Sequence, residues 1–179
     1  MIGDMLLCVG YMSYMGPFPG KYRRETILRW RKIVKSMSIT FDDNFSFIGI
    51  MGQPVEIINW ISNGLPNDDL SKENTIIMQV SDFFPLIIDP QKQAMKFFNV
   101  YESDRKQVVV EVKPSAKFAG QLGNTIRNGE TLFLKNIGET LDPVLNDVLL
   151  NSKMDRRIIE IGTQSIKWNP TFFLFLISY

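Results

Sequence analysis

Residues Asp89 to Lys96 are the stretch whose types and spacing come nearest to a chemical site. They follow the short apolar run Pro85–Ile88 and lead into an apolar periodic segment. That is where a nucleotide-binding α/β protein places a phosphate loop, G-x-x-x-x-G-K-[ST]. In such a loop glycines let backbone N–H groups close around phosphate, the lysine neutralises it, and the hydroxyl ligates magnesium. Here Asp89 stands at the first glycine, Pro90, Gln91, Lys92 and Gln93 fill the variable positions, and Ala94, Met95 and Lys96 replace the second glycine, the lysine and the hydroxyl. Every anchor is lost. A carboxylate at position 89 would also repel a triphosphate: like charges ~4 Å apart cost about 1 kcal/mol even in water. Lys92 brings a cation near, without the glycines that would aim the backbone.

A magnesium-dependent site needs a second part, a strand ending in acidic residues. In the stretch TLFLKNIGE, Lys135 and Asn136 occupy those positions and Glu139 lies beyond Gly138. The sequence therefore reads as a nucleotide-binding scaffold without nucleotide chemistry, with no catalytic and no metal-ligating residue. The alternative is an unorthodox nucleotide-sensing site around Lys92, Lys96 and Glu139. The pairs Asp42–Asp43 and Asp68–Asp69 lie in turn-like sequence and read as helix caps or solvated charge. Arg156–Arg157 reads as surface charge, and Cys8, in an apolar segment, as inert.

The elements that would position these residues follow from periodicity and punctuation. A short buried helix is expected over Asp4–Tyr14, broken by MGPFPG. An amphipathic helix spans Tyr22–Met37, with Ile27, Trp30, Val34 and Met37 as its apolar stripe, Trp30 as a core anchor, and Arg23, Arg24, Arg29, Arg31, Lys32 and Lys35 facing outward. Residues 38–53 read as loop. A helix opens at Pro54 and stops before Gly64. LPNDDLSKEN reads as a turn with a single helical turn capped by Asn67 or Asp68. Next come the apolar runs TIIMQV and PLIID, a helix over about Pro90–Tyr101, a strand at Val108–Val112, and a Ser115-capped helix that ends at Asn128–Gly129. A strand at Thr131–Leu134 and a helix with Asp142 as cap and Pro143 at its first position follow. A hairpin about Gly162 and a last strand, Phe172–Ile177, close the chain. Continuous apolar strands alternating with helices predict a parallel sheet covered on both faces.

Composition narrows the function further. The chain has 179 residues, 45% of them hydrophobic, and 20 Lys+Arg stand against 19 Asp+Glu. Balanced charge argues against a nucleic-acid partner. With no histidine, imidazole bases, Ser–His–Asp triads and Cys/His zinc sites are excluded. One cysteine permits no internal disulfide and fits a reducing compartment. No stretch approaches the ~20 apolar residues of a membrane span. The closing PTFFLFLISY is a core-strand pattern that reads as uncovered, which predicts a fragment prone to associate through Phe172, Phe173, Phe175 and Ile177.

Four stretches, GDMLLCVGYMSYMGPFPGKYR, GQPVEIINWISNGLPNDDLSKEN, FPLIIDPQKQAMKF and LFLKNIGETLDPVLNDVLL, together resemble the dynein heavy chain, from about Gly3 to the end. The match is to the fifth AAA+ module of the motor ring, in wording nearer axonemal than cytoplasmic chains. The resemblance implies a three-layer αβα AAA+ large subdomain, truncated before its helical lid, with residues 1–53 as helical entry segment and 54–179 as core. It implies a module that binds no nucleotide, ATP and magnesium being held by other modules, and that relays conformational change round a microtubule motor's ring. Asp89–Pro90–Gln91 and Asn136–Ile137–Gly138 fall on that module's degenerate loop and degenerate acidic strand. The implied partners are the neighbouring modules. The microtubule is reached only through a stalk tip outside this sequence, and intermediate and light chains indirectly, with no nucleic acid or membrane. The implied place is the cytoplasmic cytoskeleton and ciliary axoneme. The contrary reading is a free-standing interaction domain without motor role.

Overall fold

The computed structural model describes residues 1–111, 116–154 and 156–179. Their contacts form two compact units, Met1–Ser81 and Asp82–Tyr179.

The first unit is helical: α1 (Ile2–Tyr14), α2 (Gly20–Ser36), α3 (Phe47–Met51), α4 (Pro54–Ser62) and α5 (Asp69–Val80). α1 buries Leu7, Cys8 and Tyr11. Gly3 is required there, because its amide bonds the Thr40 carbonyl and an added Cβ would lie 2.6 Å from that oxygen. α4 starts with Pro54 and ends where Gly64 takes a left-handed φ of 99°, as the punctuation predicts.

Three expectations fail in this unit. Residues 38–53 are not all loop: the Ser46 hydroxyl accepts from the Gly49 amide and starts α3, whose Phe47 stacks on Tyr11 at 4.3 Å. TIIMQV is not a separate run, because Asp68 caps one continuous 12-residue helix that carries it. No Gly or Pro interrupts residues 69–80, so the cap's helix propagates through the β-branched residues. On α2, Met37 is exposed and Trp30 half-buried, whereas Arg23, expected outside, is buried.

The second unit is an α/β fold with β1 (Leu86–Ile88), α6 (Ala94–Tyr101), β2 (Gln107–Glu111), α7 (Ala116–Asn128) and β3 (Thr131–Lys135). A 3-10 turn at Pro143–Leu145, α8 (Asn146–Met154), β4 (Ile158–Ile161), β5 (Gln164–Lys167) and β6 (Phe173–Ser178) complete it. The Ser115 cap and the Val112 strand end lie outside the described residues. A four-stranded parallel sheet has the order β1-β6-β3-β2, and β4 and β5 form an antiparallel hairpin.

Strand alternation assigns the layers. Leu132, Leu134, Leu174 and Leu176 pack with Phe118, Leu122 and Ile126 of α7, with Leu145 and Val148, and with hairpin residues Ile159, Ile161 and Ile166. On the other face Phe133 stacks on Phe175 at 4.9 Å, and Phe98 of α6 meets Phe175 at 4.8 Å. The result is the expected αβα arrangement. The last strand is not an uncovered edge. β6 lies between β1 and β3, and Phe172, Phe175 and Ile177 are buried, because apolar residues on both faces of a strand suit the middle of a parallel sheet.

Candidate functional site

In open parallel sheets ligands bind beyond the carboxyl ends of the strands, and the sequence-derived candidates gather at that edge. β1 and β6 are in register, Ile88 beside Ser178, and the Asp89 amide donates to the Ser178 carbonyl at 2.8 Å. The helix expected from Pro90 starts at Ala94. Pro90–Gln93 form a four-residue loop closed by a Lys92 amide bond to the Asp89 carbonyl. Lys92 takes a left-handed φ of 57°, a conformation that favours glycine. The variable segment thus keeps the length of a phosphate loop.

Inside the loop sits the chain's own carboxylate. Asp89 Oδ1 accepts from the Gln93 amide at 3.0 Å, and Oδ2 from the Ala94 amide at 2.8 Å. These are N–H groups at the amino end of α6, the place where a phosphate would accept. Asp89 is 7% exposed. Residue type alone makes Asp89 a repulsive charge; the structure gives it a bonding role as the helix's anion. Lys92 and Lys96 are exposed, and the Lys92 ammonium lies 5.0 Å from the Tyr179 ring centroid. Met95 is half-buried, and Pro90, Gln91 and Gln93 are exposed.

The second candidate part is also built for turning. Lys135, half-buried at the end of β3, is in register with Glu111 on one side and Ile177 on the other. Asn136 follows at φ 60°, exposed, and the Ile137 amide then donates to the Ile177 carbonyl at 3.1 Å. The position of the acidic pair is therefore spent on a left-handed turn. Glu139 is exposed in the connection beyond it. Among the described residues no group of three or more His, Cys, Asp or Glu comes together as a metal site.

Two residues escaped the sequence reading. Burial pushes the Tyr179 phenol above its ordinary value, and the negative charges of Asp89 and then Glu111 add to that. Strand register brings these three together, and register has no local signal. The remaining candidates have structural roles. Asp42 accepts from the Asn44 amide, Asp68 caps α5, and Arg156 faces Asp147 at 4.0 Å. Cys8 is buried, which raises its thiol pKa, with the Asp4 charge adding to the effect.

Residues 58–179 match the family model described as the ATP-binding dynein motor region. The chain is similar to human dynein axonemal heavy chain 1, at 35% identity over 97% of this chain, and to the cytoplasmic dynein heavy chain of Dictyostelium discoideum, at 32% over 99%. It also resembles dynein heavy chain-like protein 1 of Plasmodium falciparum, at 36% over 99%. The chain spans about 4% of the length of each of these relatives.

Proposed function

The chain belongs to the dynein heavy-chain family, in its motor region, and from that premise we propose that it is the ring's fifth AAA+ module, a structural unit that neither binds nor hydrolyses nucleotide. In this reading residues 54–179 are the large-subdomain core and 1–53 its entry segment. The module passes conformational change between neighbouring modules, which hold the ATP and magnesium. It contacts the microtubule only through a stalk tip outside this sequence, and intermediate and light chains only indirectly. Relatives named both axonemal and cytoplasmic support a cytoskeletal place, and the ciliary axoneme is the proposed one.

The observation that carries the reading is the Asp89 carboxylate on the Gln93 and Ala94 amides. A phosphate entering this loop must displace an anion that is covalently attached and therefore always present. It would do so without the lysine that Met95 replaces and without an acidic strand end for magnesium. Isothermal titration with millimolar ATP and magnesium tests it: no saturable heat is expected, and magnesium-dependent saturation would reject the reading in favour of a site around Lys92, Lys96 and Glu139.

A further inference from the structure

The most deeply buried charged side chain among the described residues is Arg23, 1% exposed, far from the candidate site in sequence and unused by it. Its planar guanidinium bonds in two directions. Nε donates to the Phe18 carbonyl at 2.7 Å and Nη2 to the Gly16 carbonyl at 3.1 Å. On α5, Nη1 meets Glu73 Oε2 at 2.9 Å and Nη2 donates to Asn74 Oδ1 at 2.5 Å. The Tyr11 ring lies 6.0 Å away.

The carbonyls held by Arg23 belong to a strap. Residues 16–19 (Gly-Pro-Phe-Pro) are exposed, contain two prolines without N–H, and join α1 to α2. We propose that Arg23 is a latch that clamps this strap to α5, with Glu73 as its release point. The guanidinium holds the strap and α5 together, and Glu73 is its counter-charge on α5, so the carboxylate is the partner whose loss releases it. Glu73 lines an open cleft of about 190 Å³ with Tyr11, Arg24 and Asp69, so solvent reaches its carboxylate from that side while Arg23 stays buried. A buried arginine without its counter-charge is strongly disfavoured. Losing Glu73 therefore drives the guanidinium outward and frees the strap carbonyls with it. The hinge between α1 and α2 is thereby coupled to α5, and a displacement of α5 is felt at the strap.

Amide hydrogen exchange on the full 179-residue chain tests this. The reporters are Phe18, whose amide bonds the Met15 carbonyl, Val34 within α2, and Leu174 in the sheet. Glu73→Gln is expected to speed Phe18 exchange about tenfold or more, while Val34 and Leu174 keep their rates. Arg23→Lys, which cannot span both sets of acceptors, should act alike, and the double variant should be no faster than the faster single one. An unchanged Phe18 rate in Glu73→Gln overturns the latch. So does an equal acceleration at Val34, which would report general loss of stability, and so does an additive double variant. If Arg23→Lys does not fold, Glu73→Gln alone decides the question by the same reporters.

Discussion

Asp89 and Ala94 are joined by a hydrogen bond of 2.8 Å from the Ala94 amide to the Asp89 carboxylate, across a loop with the length of a phosphate loop. Together with the Gln93 amide at 3.0 Å, this gives the amino end of α6 an anion that cannot dissociate. The loop is a closed structural turn, and its stability depends on the same residue that the proposed reading sets against nucleotide phosphate.

Asp89→Ala should accordingly destabilise the protein by about 1–3 kcal/mol, the range for a helix cap made with a charged acceptor. Asp89→Asn, which retains one acceptor, should lose less. Urea unfolding of the three proteins checks the order; equal midpoints would show that the two bonds contribute nothing.

Asp89→Gly combined with Met95→Lys restores two phosphate anchors in a loop of the right length. Weak ATP binding is expected in the double variant by isothermal titration. Silence would mean that the loop's shape, with Lys92 left-handed, is itself unsuited to phosphate.

Trp60→Ala should cost about 3–5 kcal/mol, as large core truncations do, because Trp60 is 5% exposed. Trp30→Ala should cost less, since Trp30 is half-buried against Gly10. Reversing Arg29 and Lys32 to Glu should leave folding almost unchanged, as exposed charges contribute little. Thermal or urea midpoints that invert this order would contradict the burial pattern.

The Tyr11 phenol is pushed upward by burial and by its hydrogen bond to Glu73, the Glu73 charge adding and Arg23 opposing. A raised folded-state value means that the folded chain keeps the proton after the unfolded chain has lost it. The stabilisation is complete below the ordinary phenol value of about 10 and is lost as pH rises beyond it. Urea midpoints of wild type should therefore fall faster than those of Tyr11→Phe above that pH. Parallel curves would contradict the assignment.

Much of this was legible in the sequence. Pro54 and Gly64 bracket α4, Asp142 accepts from the Val144 amide as a cap, and Gly129 closes α7 where a Cβ would lie 2.0 Å from the Thr171 hydroxyl. The parallel α/β unit followed from continuous apolar strands. What failed depended on tertiary partners. Arg23 reads as one more charge on a basic helix until Glu73 and Asn74, some fifty residues on, receive it. The closing strand reads as an uncovered edge until register inserts it between β1 and β3. At the site, the loss of phosphate anchors was visible from residue types, while the use made of Asp89 was not, because it depends on where α6 begins.

The most direct measurement is the backbone amide resonances of Gln93 and Ala94 by ¹⁵N NMR during titration with ATP and magnesium. If Asp89 is the permanent anion of this loop, neither resonance moves beyond the change given by matched salt, up to millimolar nucleotide. Saturable, magnesium-dependent shifts at both amides would show that nucleotide phosphate displaces the carboxylate, and would contradict the assignment of this chain as a module without nucleotide.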